Sequence, residues 1–174
     1  MMTALQTLID NGCSEDAVEA ILNDAIEGDS FEDDDNKRCC IALLFDYEQG
    51  DKDDPSDYNV FHGETVEGPR GNYRVLDDDE ADAACRERIE DSLGSYNPSF
   101  LAGETGIDQD VFEALIEKGE NANDAIRSII VGSCGLDDFV ETAIGLGRGI
   151  HLSGYDNEEN EVSVKGAEYY VYRM

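Results

Sequence analysis

The sequence has no tryptophan, three prolines, two histidines and four lysines. With so few prolines it contains no proline-rich linker, and it has no internal repeat or low-complexity linker. His62 and His151 have no local signature beside them, so nucleophilic catalysis lacks its usual base. No run approaches the roughly 18 apolar residues that a membrane span needs. The N-terminal Met1-Met2-Thr3-Ala4 lacks the basic segment of a signal peptide. The five cysteines (Cys13, Cys39, Cys40, Cys85 and Cys134) are odd in number and include no Cys-x-x-Cys. That excludes a disulfide framework and a zinc ribbon. It points to a cytoplasmic protein with reduced thiols, several of them buried as small hydrophobes.

What is present is acid. Asp and Glu number 42 against 12 Lys and Arg, a formal net charge of −30 in 174 residues. Hydrophobic residues make up 40% of the chain, which is enough for a folded core and excludes a disordered acidic tail. A globule of this mass is about 40 Å across, and duplex DNA carries about 24 charges over that length. The chain therefore matches DNA in charge per length. It should repel nucleic acid and membranes and attract surfaces built to hold nucleic acid.

The first 49 residues read as helices. Ser14 is a candidate N-cap, and Val18, Ile21, Leu22 and Ala25 share one helical face. Asp33-Asp34-Asp35 precedes the run Cys39 to Phe45, which is apolar all round and predicts a central helix. Residues 50–57 read as a loop and a candidate break. Tyr58 to Val66 and Asn72 to Leu76 alternate as strands of a hairpin around Gly68-Pro69-Arg70-Gly71. Asp77 to Glu80 opens a helix in which Ala81, Cys85, Ile89 and Leu93 recur every four residues. Asn97-Pro98 starts another. Three more follow, with core faces Val111/Phe112/Leu115/Ile116, Ala122/Ala125/Ile126/Ile129/Ile130 and Leu136/Val140/Ala143/Ile144. Ile150 to Tyr155 and Glu168 to Arg173 read as a second hairpin around an acidic loop, Asp156 to Gly166. The expected fold is α+β, mostly helical with two β-hairpins. It is either one compact body or a helical region 1–49 followed by an α+β region 58–174.

Three stretches carry a resemblance: Tyr73 to Asp82, Tyr96 to Leu101, and Gly147-Arg148-Gly149 through Tyr169-Tyr170-Val171-Tyr172-Arg173. Over about residues 58–174 the chain resembles small, acidic, uncharacterised proteins of bacteriophages and mobile elements. The resemblance implies a phage origin, in which small acidic proteins often inhibit host defence nucleases as anti-CRISPR or anti-restriction proteins, some of them DNA mimics.

The remaining motifs carry little chemistry. Cys39 and Cys40 point about 100° apart on a helix and do not suit one tetrahedral metal site. The acidic stretches from Asp51 and from Asp156 lack the glycine of a calcium loop. Gly145-Leu146-Gly147-Arg148-Gly149 lies after a helix and before an expected strand, the reverse of a dinucleotide loop. Arg70, Arg74, Arg86 and Arg88 are expected to pair with carboxylates and hold the hairpin against its helix, a small basic recognition spot being the sharper alternative. The carboxylates come in runs: ten acids and no base from Glu15 to Asp35, and eight against two from Asp77 to Asp91. Residues four apart on a helix lie about 6 Å apart, of the order of successive phosphates, so pairs such as Glu15/Glu19 or Glu113/Glu117 can stand in for a phosphate row. Adaptation to high salt is a competing source of the same charge.

The function expected from these features is a non-enzymatic acidic inhibitor acting in the host cytoplasm. It would bind the nucleic-acid-binding surface of a host defence complex, a CRISPR effector or restriction enzyme, with no direct nucleic-acid or membrane partner and no cofactor or metal. A homodimer is compatible with it. The candidate contact residues are Glu15, Glu19, Asp29, Glu32, Asp33, Asp34, Asp35, Asp77, Asp78, Asp79 and Glu80, with the heavier bet on the first third. The alternative is a phage accessory or scaffolding-type interaction protein with a generic acidic surface.

Overall fold

The computed structural model describes residues 34–50, 58–61, 65–119, 121–164 and 167–174. They form an α+β fold with two compact units. One holds the described residues up to Ala81 together with Ser153–Met174; the other is Asp82–Leu152.

In the first unit the apolar run becomes helix α1 (Asp34–Glu48). Cys39 to Phe45 are all at most 5% exposed, so this helix is buried on every side, as its sequence requires. It packs on a five-stranded antiparallel sheet of order β1-β2-β3-β5-β4. The strands are β1 (Asn59–Phe61), β2 (Thr65–Gly68), β3 (Gly71–Asp77), β4 (Asn160–Val164) and β5 (Ala167–Arg173). Val66, Tyr73, Val75, Val162 and Val171 join α1 in one apolar cluster. Leu76, Tyr170 and Tyr172 alternate with them, and they too are buried.

The first hairpin turns at Pro69-Arg70, where Gly68 faces Gly71 across the ladder. Gly71 has φ +141°, and a Cβ on Gly68 would lie 2.9 Å from the Tyr58 ring, so neither position accepts a side chain freely. The stretch expected as one strand, Tyr58 to Val66, is two. β1 pairs back on β2 with Val60 opposite Val66. Alternation with period two runs through both strands and does not mark the reversal. His62 lies outside the described residues.

The C-terminal end also departs from expectation. Gly149–Leu152 is a helical turn rather than a strand, so His151 is helical, and the glycine-rich segment joins two helices. The strand lies inside the presumed acidic loop, as β4, paired with β5. Val162 is buried between exposed Glu161 and Ser163, a half-buried strand pattern that the surrounding acids obscure.

Helix α2 (Asp78–Asp91) starts in the first unit and runs on into the second. Its four-residue repeat is borne out: Ala81, Cys85, Ile89 and Leu93 are fully buried. A 3-10 turn (Leu93–Ser95) leads to α3 (Pro98–Thr105), capped by Asn97, whose Oδ1 accepts from the Ser99 N–H at 2.9 Å. Then come α4 (Gln109–Lys118), α5 (Ala122–Ser133), α6 (Leu136–Ile144) and α7 (Gly149–Leu152). Leu101, Phe112, Ile126, Ile130, Phe139, Val140 and Ala143 form this unit's interior. On α4 only Phe112 is fully buried, and Val111 is 42% exposed. Among the described residues no helix is long and apolar enough to cross a membrane.

Among the described residues one acidic side chain is fully buried. Asp46, at the end of the apolar run of α1, accepts from the hydroxyls of Tyr58 and Tyr73, the latter at 3.1 Å. Arg173 on β5 hydrogen-bonds the Tyr73 hydroxyl and feels the Asp46 charge. Its guanidinium also lies 5.9 Å from the ring centroids of Phe45 and Tyr73.

Two predictions follow from this interior. Asp46→Ala leaves two hydroxyls without their acceptor and Arg173 without the nearby negative charge, and should lower stability by about 3–5 kcal/mol. Tyr73→Phe, losing one hydroxyl, should cost about 1–2 kcal/mol in the same urea titration. A Tyr73→Phe cost equal to that of Asp46→Ala would contradict the central place of the carboxylate. The thiols give the second. Burial, with Cys39 adjacent, pushes the Cys40 thiol up to about 12. Cys40 should therefore resist alkylation in the native state, while Cys134, half-buried, reacts first among the four described cysteines. Mass spectrometry of labelled peptides reads the order.

Candidate acidic interaction surface

The start of α2 decides the role of two candidate residues. The Asp77 carboxylate accepts from the Glu80 N–H at 2.9 Å, and Glu80 accepts from the Asp77 N–H at 2.9 Å. This is a capping box with Asp as the cap residue, and it satisfies two backbone donors at the helix end. Glu80 also takes a two-pronged ion pair from Arg38 on α1, at 2.7 and 3.1 Å. Arg38 donates in addition to the Val75 carbonyl. Although its partial burial opposes ionisation, the Arg38 hydrogen bonds, the Asp77 N–H and the nearby Arg74 charge hold the Glu80 carboxyl below the ordinary glutamate range. Asp77 and Glu80 thus anchor the fold, and reversing their charge would not be the mild surface change that exposure alone suggests. Asp78 and Asp79 are exposed in the first turn of α2, where the helix dipole favours them.

The other candidates divide by position. Asp34 and Asp35 occupy the first turn of α1. Glu15, Glu19, Asp29, Glu32 and Asp33 lie outside the described residues.

The second unit carries acids that the first-third emphasis passed over. On α4, capped by Asp108, the residues Asp110, Glu113 and Glu117 are all exposed. They recur at i, i+3 and i+7, so they form one stripe, with Phe112 anchoring the opposite side. The unit contains 14 Asp and Glu against 5 Lys and Arg. Among its described acids only Asp82, Glu90 and Asp137 stand in an ion pair. Glu90 takes Arg86 and Arg127, Asp137 takes Arg86, and Asp82 takes Arg148. The α4 stripe has no ion pair among the described residues.

The four arginines do not act together as expected. Arg86 pairs within α2 and with α6, and Arg74 lends its charge to Glu80. The Arg88 carbonyl accepts from the Ser92 hydroxyl, but its guanidinium has no hydrogen bond, ion pair or ring contact among the described residues. The cation that secures the α2 start is Arg38, which the sequence reading did not single out.

Metal ligation has little to build on in this region. Among the described residues no group of three or more His, Cys, Asp and Glu side chains is placed to hold a metal ion. Asp156 is engaged in its own turn, accepting from the Ser153 hydroxyl at 2.6 Å and the Glu158 N–H at 3.0 Å.

In comparisons with known proteins no family model matches the chain, and neither does any curated protein or solved structure.

Glu80 gives a pH prediction. Its folded pKa is depressed, so its contribution is present above the ordinary glutamate pKa and is lost as pH falls through the folded value. Glu80→Gln can still cap the helix but cannot pair with Arg38. It should be less stable than wild type by about 1–2 kcal/mol at neutral pH. The gap should close as the pH is lowered toward 3 in urea titrations. A gap independent of pH would show that the Arg38 pair is energetically silent.

Proposed function

We propose that this protein is a non-enzymatic acidic inhibitor that occupies the nucleic-acid-binding surface of a host defence complex, a CRISPR effector or a restriction enzyme, in the host cytoplasm. The observation that carries the reading is the α4 stripe. Asp110, Glu113 and Glu117 are exposed, spaced like a row of phosphates, fixed on a helix and without a cationic partner among the described residues. Lys and Arg side chains that grip phosphates would pair with such a row and release their counterions. The net charge of −30 supports the same reading, because so much self-repulsion is a cost to the folded state. The resemblance to phage proteins supplies the host context. Asp78 and Asp79 extend the acidic surface, and Asp34 and Asp35 belong to the segment on which the sequence places its heaviest run of acids.

The test is capture from a bacterial lysate on the immobilised protein, followed by mass spectrometry. A nucleic-acid-binding complex should be retained and displaced by duplex DNA. Its affinity should fall log-linearly as salt rises from about 50 to 200 mM. Reversal of the stripe (Asp110→Lys, Glu113→Lys, Glu117→Lys) should abolish capture, while each change alters stability by only about 0.5 kcal/mol. Retention insensitive to salt and to the reversal would remove the mimicry reading. Recovery of phage structural proteins alone would favour a scaffolding role.

A further inference from the structure

The second unit also contains a cleft of about 450 Å³ whose walls are unlike the rest of the surface. Tyr96 and Phe100 stack at 5.5 Å with an interplanar angle of 22° and form one side. Leu146 and Ile150 form another, each 55% exposed, in a protein that buries most of its large apolar side chains. Gly147, with φ +118°, lets the chain turn between α6 and α7 so that both side chains reach the cleft. His151 closes the wall. Its Nε2 lies 3.2 Å from the Ala143 carbonyl, which can only accept, so Nε2 carries the proton and Nδ1 is left as an acceptor in the neutral ring.

Ser92, Ser95 and Asn97 add small polar groups to the wall, and its one guanidinium is that of Arg88. The protein has eight arginines. Arg38, Arg86, Arg127 and Arg148 are in ion pairs, Arg173 engages Tyr73 and its neighbouring rings, and Arg70 and Arg74 have interactions of their own. The Arg88 guanidinium alone has none among the described residues. It stands at the edge of the apolar cleft.

We infer that this cleft binds a small organic anion, a carboxylate-type oxyanion on an aromatic or branched aliphatic body. The volume falls in the range of small-molecule sites, roughly 300–1,000 Å³, and the composition has their pattern of apolar walls with few polar groups. The guanidinium offers a planar fork that fits both oxygens of a carboxylate. The body of the ligand would cover Leu146, Ile150 and the Tyr96–Phe100 stack, removing apolar surface that folding leaves wet. A cationic ligand is disfavoured, because the only charged side chain on the cleft wall is Arg88. This site is separate from the α4 stripe and does not depend on the inhibitor reading.

The experiment uses 15N-labelled protein titrated with sodium 1-naphthylacetate, and in parallel with the neutral analogue 2-(1-naphthyl)ethanol. The carboxylate should give saturable shifts confined to the amides of Tyr96, Leu146, Ile150, His151 and their neighbours. Arg88→Gln, an exposed change, should weaken the carboxylate at least tenfold and leave the neutral analogue unchanged. Ile150→Asp should abolish both, with the dispersed spectrum confirming that each variant is folded. No saturable shift below about 10 mM, shifts located elsewhere, or equal affinity for the carboxylate in wild type and Arg88→Gln would overturn the assignment.

Discussion

A buried carboxylate needs partners in fixed places, and those of Asp46 come from three places along the sheet. Tyr58 stands just before β1, Tyr73 is on β3 and Arg173 is on β5. The apolar face of α1 is built from cysteines, alanine, leucines and isoleucine, and the sheet beneath it is rich in valine. Such surfaces tolerate sliding by a helical turn with modest loss of contact. The carboxylate does not, because only one position brings two hydroxyls to it near the charge of Arg173, and elsewhere its desolvation would go uncompensated. Apolar burial therefore supplies the drive to pack α1 on the sheet, and Asp46 sets the register. Arg38 repeats the device near the other end of α1 by tying it to Glu80 and to the Val75 carbonyl.

How much of this was legible in the sequence depends on whether a signal was local. The seven-residue apolar run, the Gly-Pro-Arg-Gly turn, the four-residue repeat of α2 and the Asn97-Pro98 start are local, and each element forms where it was read. The β1–β2 reversal and the β4 strand were missed because alternation continues across a turn and because acids on one strand face resemble a loop. Asp46 and Arg38 gave no signal at all. A polar residue at the end of an apolar run reads as a helix boundary, and the hydrogen-bond partners of these two are 12 to 42 residues away in sequence. For the candidate site, the density of acid was legible but its division between structure and surface was not. Asp77 and Glu80 looked like exposed charge and are a helix cap.

That division explains how the chain stays folded at such a charge. The first unit carries 28 acids against 7 bases, the second 14 against 5. Four of the eight arginines are spent where they hold elements together: Arg38 on α1 and α2, Arg86 and Arg127 on Glu90, Arg148 on Asp82. Surface ion pairs with single partners contribute little, typically below 1 kcal/mol, whereas cations placed on partly buried acids relieve a desolvated charge. Concentrating the few cations at such joints leaves the outer acids uncompensated. Screening by salt, over about 8 Å at physiological strength, then moderates their mutual repulsion.

The outer acids of α4 gain from this arrangement in another way. Asp108 caps the helix, Phe112 fixes its inward face, and Gln109 holds Glu113 through a 2.7 Å hydrogen bond. A carboxylate row on a flexible tail loses conformational freedom when it meets a basic surface; a row on a capped and anchored helix has lost most of it already. The spacing of Asp110, Glu113 and Glu117 is set by helix geometry before any partner arrives, so the electrostatic attraction is not offset by the ordering of the backbone. The same rigidity would limit a basic partner of the kind proposed. A rigid row can only satisfy cations spaced to match it, which turns an excess of charge that would otherwise be indiscriminate into a geometric requirement.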